Sequence, residues 1–147
     1  MMKIPRLTVI TLGVADLERA TEFYRAVLDT PPNTNNEGVT FIELPGTWLA
    51  LYPLGDLAKD ISPDIPVVRS AFSGVTLAHN ARSKEDVIAI MQRAESAGAR
   101  IVKQVQDTFW GGFSGYFADP DGHYWEVAWG PMFWFTGNGE LRFKPEK

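Results

Sequence analysis

Glu126 is the residue of this chain whose type and setting most call for a chemical explanation. It lies in FADPDGHYWEV, residues 117–127. Within that run Asp119, Pro120, Asp121 and Gly122 supply turn chemistry: proline fixes φ, glycine tolerates positive φ and the aspartates hold the backbone. The apolar flanks then read as the two strands of a hairpin. A carboxylate among Tyr124, Trp125, Val127 and Trp129 is costly to bury alone. It needs a ligand, a catalytic duty, or a structural partner such as Tyr116 or a water. As chemistry, it can serve as a general base or accept hydrogen bonds from a cationic or hydroxylated ligand.

The rest of the inventory is narrow. The chain has no cysteine and two histidines, which excludes a disulfide scaffold, a thiol nucleophile and a thiolate metal site. His123 follows the turn glycine and is expected to face solvent. His79 lies on a strand, where a lone histidine is commonly a hydrogen-bonded structural residue. Convergence with Glu126 would instead make a pair of titratable groups in a cleft, a signature of a site. The candidate catalytic set is therefore Glu126 as base, with Tyr116 or His79 assisting.

Aromatic residues add a second theme. Five Trp, four Tyr and nine Phe concentrate at residues 109–135, as packing or as the lining of a pocket for a small ligand. The run TFWGGFSGYF, residues 108–117, has two readings. Gly111 and Gly112 permit a mobile loop with Phe109 and Trp110 as a flap, or a bend whose aromatics pack against another subunit.

The whole chain sets the frame. At 147 residues, with a net charge of −4 and a pI near 5.1, it suits one compact domain. It carries no basic footprint for nucleic acid. No apolar run approaches a membrane span, and the start does not read as a signal peptide. The expectation is a cytoplasmic protein with no nucleic-acid or membrane partner.

These residues must be positioned by a repeated order of elements. Residues 7–14 alternate as a strand, and Asp16 is placed to cap a helix whose apolar stripe is Leu17, Ala20, Phe23, Tyr24, Val27 and Leu28. Pro31 and Pro32 end it. Residues 33–37 read as polar loop or a short edge strand, and residues 39–44 and 47–52 as a hairpin around Pro45–Gly46. A linker over 54–72 follows, with one helical turn near 56–60. Then come a strand at 74–80, a helix capped by Ser83 and stopped by Gly98, and strands at 101–105, 113–118 and 123–129. Two halves of strand, helix and three strands result, 4–53 and 73–130. A tail at 131–147 carries an apolar cluster and a turn at Thr136–Gly139. Neither half can bury its sheet alone, so the fold class is α+β, and pairing the two halves gives a cleft between concave sheets.

VADLERATEFYRAVL at 14–28 together with FADPDGHYWEV resembles the vicinal oxygen chelate superfamily, the glyoxalase, bleomycin-resistance and dioxygenase proteins, over residues 4–130. The resemblance implies paired βαβββ modules around a cup and commonly a homodimer. Metal-using members place four ligands on the first and last strands of the modules. Carried over by motif, those positions fall at Val9, Ala50, Val75 and Glu126. One carboxylate with two valines and an alanine does not meet the demand of a catalytic divalent metal for several oxygen or nitrogen donors. The expected cofactor is therefore none, and the metal set is empty.

Counting by two from those positions gives the inward-facing side chains that the resemblance implies. They include Thr11, Trp48, Tyr52, Leu77, His79, Ser114, Tyr116 and Tyr124 besides Glu126. The expected ligand contacts are Thr11, Trp48, Tyr52, Leu77, Phe109, Trp110, Ser114 and Tyr124. The function implied is a glyoxalase- or bleomycin-resistance-like protein binding a small organic molecule in a metal-free cup. The alternative is a metal-dependent or Glu126-based lyase, isomerase or dioxygenase.

Overall fold

The computed structural model describes residues 6–68 and 71–145. The chain divides into two compact units, residues 1–73 and 74–147.

The first unit begins with β1 (Val9–Val14) and α1 (Leu17–Leu28). The Asp16 side chain accepts a hydrogen bond from the Arg19 amide at 3.0 Å, the N-cap its position suggests. Ala20, Phe23, Tyr24 and Val27 form the buried stripe of α1. They meet one face of a three-stranded sheet ordered β1-β3-β2, with β2 at Thr40–Ile42 and β3 at Trp48–Pro53. The β1–β3 pairing is parallel and β2–β3 antiparallel. The weak strand expected near 33–37 is reduced to one antiparallel bridge, Asn33 with Phe41.

The segment after β3 departs from the linker reading. Leu54–Ile61 is an eight-residue helix, α2. Leu54, Leu57 and Ala58 recur at helical spacing, and Ala58 is buried. Pro63 prevents continuation past Ser62. Helix α2 lies over the end of β1: a Cβ on Gly13 would fall 2.5 Å from Leu54 Cδ1.

The second unit repeats the order with β4 (Leu77–Asn80), α3 (Lys84–Ser96), β5 (Arg100–Asp107), β6 (Phe113–Ala118) and β7 (Tyr124–Trp129). Ser83 caps α3 by accepting the Asp86 amide at 3.1 Å. The four strands are ordered β4-β7-β6-β5, with β4–β7 parallel and the other pairs antiparallel. Val87, Met91 and Ala94 of α3 are buried on the face that carries Gly115, whose Cβ would lie 3.0 Å from Met91 Cε. Phe117 and Trp125 share that face and stack at 6.0 Å between ring centroids. Trp125 thus points toward the helix.

The turn between β6 and β7 is held as its residue types suggest. Asp119 Oδ1 accepts the amides of Asp121 at 2.9 Å and His123 at 2.8 Å. Beyond β7 the tail forms a further hairpin, β8 (Phe133–Phe135) and β9 (Leu141–Phe143), around the Thr136–Gly139 turn. The architecture is α+β with mixed sheets.

Candidate functional site

In paired strands, residues in register share a face, so register decides which side chains meet. Tyr116 stands opposite Glu126, Ser114 opposite Ala128, and Ala118 opposite Tyr124. Ala78 on β4 also pairs with Glu126, and Lys103 on β5 with Tyr116. One row therefore crosses the sheet as Ala78, Glu126, Tyr116, Lys103. The expected contacts Tyr116, Ser114 and Tyr124 all lie on the Glu126 face. Glu126, Tyr116 and Tyr124 are half-buried and Ser114 is buried.

Tyr116 and Glu126 stand directly opposite on paired strands, so their side chains are neighbours on one face. Burial pushes the Tyr116 phenol above its ordinary range, and the neighbouring Glu126 carboxylate pushes the same way. The phenol is thereby kept protonated, able to donate toward a carboxylate or a ligand oxygen.

Leu77 and His79 are corrections. Leu77 pairs with Trp125 and His79 with Val127, which puts both on the helix face, opposite Glu126. His79 is exposed at the sheet edge, and partial burial of its imidazole holds it below its ordinary range against an upward pull from Asp86 on α3. It belongs to that environment and does not converge with Glu126. The parity was lost because Gly74, Val75 and Thr76 precede the strand proper. Extending the register by one row sets Thr76, rather than Val75, beside Tyr124 on the Glu126 face.

In the first unit Thr11 pairs with Ala50, Val9 with Trp48 and Gly13 with Tyr52. Thr11, Trp48 and Tyr52 therefore share one face, away from α1. Phe41, opposite Ala50, joins them and meets Trp48 edge-on at 6.0 Å. It was missed in the sequence, although its period-two place in a hairpin with β3 was the signal. Lys103 was missed too, because register shifts between Ile101 and Gln106 defeat counting along β5.

Phe109 and Trp110 belong to a closed turn. The Thr108 amide donates to the Gly112 carbonyl at 2.9 Å, and the Gly112 amide to Thr108 Oγ1 at 3.0 Å. Phe109 is fully exposed at the tip. The Trp110 ring occupies the space a Cβ on Gly112 would need, and a Cβ on Gly130 would lie 2.9 Å from Trp110 Cζ3. The ring is thus seated on two glycines, which differs from a flap.

The donors available for a metal are few. On the sheet faces away from α1 and α3, the four ligand positions carry Val9, Ala50, Thr76 and Glu126. Among the described residues no group of three or more His, Cys, Asp or Glu side chains is placed to hold an ion. A single carboxylate with a threonine does not fit a catalytic divalent metal.

Residues 6–127 match the Glyoxalase/Bleomycin resistance protein/Dioxygenase superfamily, and the chain belongs to it. It is 31% identical over 127 residues to the metallothiol transferase FosB of Shouchella clausii, covering 84% of this chain and 79% of that one. Its fold is similar to the crystal structure of a glyoxalase-related enzyme from Fulvimarina pelagi. That likeness has a TM-score of 0.86 and 32% identity, over 97% of this chain and 100% of the other. A lactoylglutathione lyase from Agrobacterium tumefaciens shares the fold at a TM-score of 0.65 and 24% identity, over 87% and 96%. The name of the FosB relative sets a metal-using protein beside this chain, so the comparisons do not support the expectation of no cofactor. Among the described residues no helix is long and apolar enough to cross a membrane.

Proposed function

We propose that this chain binds a small organic molecule against the Glu126 face and does so without a resident metal. The observation that carries the reading is the cross-strand pair of Tyr116 and Glu126, half-buried in one row with Tyr124 on the same face. A carboxylate on the face that carries Tyr116 and Tyr124 can accept from a cationic or hydroxylated group, while the rings pack on a flat or apolar body. The donor set at the four ligand positions supports the metal-free part. The same proposal places the chain in the cytoplasm as a homodimer, with sedimentation as the check on its assembly.

A thermal-shift screen of aromatic, cationic and acyl compounds tests binding. A ligand at 100 times its Kd stabilises the folded state by about 2.7 kcal/mol. A hit that raises the melting temperature of the wild type but not of Glu126→Gln supports the reading. A flat screen refutes it.

A second reading is catalytic. It is favoured by the FosB relative, a transferase by name, and by a phenol poised beside a carboxylate. Glu126 would act as general base and Tyr116 as proton donor in a lyase- or isomerase-like reaction. Glu126→Gln would then abolish turnover while leaving folding intact. A metal-dependent version rests on the name of that relative, and it requires a stoichiometric divalent ion in protein purified without chelator.

A further inference from the structure

A groove of about 370 Å³ runs along the helix side of the second unit, on the far side of the sheet from Glu126. One wall is the α3 stripe Asp86, Ile90 and Arg93, spaced at four and three residues so that they share a helix face. The other wall is His79 and Arg82 where edge strand β4 runs into the Ser83 cap, and Phe135 of the tail hairpin closes the end. Its charged lining is two guanidiniums against one carboxylate in a chain whose net charge is −4.

Arg82 is the informative residue. Its guanidinium carbon sits 4.4 Å from the centre of the Phe135 ring. A cation–π contact of this length holds the guanidinium over the ring, and its planar set of N–H donors suits a carboxylate or phosphate. Among the described residues no carboxylate pairs with Arg82. Arg82 is exposed, and the contact with the ring limits the rotamer freedom its side chain loses on binding. Arg93 adds charge from the helix wall, and Ile90 with Phe135 offers apolar surface between the two cations.

We propose that this groove is a second binding site, for a small organic anion whose carboxylate or phosphate meets Arg82 and whose apolar body rests on Ile90 and Phe135. It is separate from the Glu126 face, and neither proposal depends on the other.

The test is backbone amide NMR of the full chain titrated with inorganic phosphate and, separately, with benzoate. The expected result is saturable shifts centred on Arg82, Ser83, Phe135 and Gly139 with at least one probe. Phosphate alone would identify a phosphoryl ligand, and benzoate a carboxylate with an apolar body. Arg82→Gln should weaken binding about tenfold, within the range of a charge-assisted pair. Arg93→Gln, at an exposed position, should weaken it less, and Glu126→Gln should leave it unchanged. Shifts that fail to saturate with both probes, that scatter away from the groove, or that saturate at the same concentration in Arg82→Gln overturn the proposal.

Discussion

Tyr116 and Glu126 face each other across β6 and β7, one phenol beside one carboxylate. The phenol titrates above its ordinary range because burial, then the neighbouring carboxylate, disfavours the phenolate. Native protein therefore holds the Tyr116 proton at a pH where the unfolded chain, with an ordinary tyrosine near 10, has begun to release it. That contribution to stability is whole below about pH 10 and is lost as pH rises through the native value. Ultraviolet titration of wild type against Tyr116→Phe should isolate a late transition. In Glu126→Gln the same transition should move down, and a transition at the free-tyrosine position in wild type would refute the pairing.

His79 gives an opposite and independent test. Partial burial lowers its imidazole pKa, so at acid pH the unfolded state takes up the proton first. Stability is unaffected above about pH 6.5 and falls as pH drops below it. In NMR the His79 midpoint should lie below that of free imidazole and fall further in Asp86→Asn. Glu126→Gln should not move it, because the two groups occupy opposite faces. A midpoint that follows Glu126 would return His79 to the carboxylate's side.

The glycines under Trp110 predict a local packing cost. A Cβ at Gly112 would meet the Trp110 ring and come within 2.6 Å of the Trp129 carbonyl oxygen. The ring can swing but the backbone oxygen cannot easily yield. Gly112→Ala should destabilise by about 1–3 kcal/mol, as overpacking does, and should change tryptophan fluorescence. Urea unfolding with an unchanged midpoint would contradict the seating of the ring.

Each module has one side-chain cap whose loss is measurable. Asp16→Ala and Ser83→Ala remove the acceptors for the Arg19 and Asp86 amides. Each should cost about 1 kcal/mol. Amide exchange should speed in the first turn of the affected helix only.

Metal content separates the binding reading from the metal-dependent one. Protein purified without chelator should hold only substoichiometric metal by elemental analysis, and prolonged EDTA treatment should leave its melting temperature unchanged. One divalent ion per chain, lost in Glu126→Gln, would establish the other reading.

Much of this arrangement was legible from residue types. Asp16 and Ser83 marked both helix starts, and the DPDG turn fixed the β6–β7 hairpin, hence the meeting of Tyr116 with Glu126. Helix α2 was less legible because Gly55 and the flanking prolines read as loop, although Leu54, Leu57 and Ala58 carried a helical period. The His79 error has a sharper cause. Strand parity flips with every residue, and β4 has only four residues from which to set it. The seating of Trp110 could not be read, since it depends on two glycines eighteen positions apart being brought under one ring.

The two faces of the second sheet divide its duties. Phe117, Trp125 and Val127 are buried on the helix face, and their loss would unfold the module. Glu126, Tyr116 and Tyr124 stand partly open on the other side, where most of the cohesion does not reside. Chemistry on such a face is separable from foldability. A lineage can rewrite what this sheet recognises, one outward side chain at a time, while the helix beneath keeps the same scaffold standing.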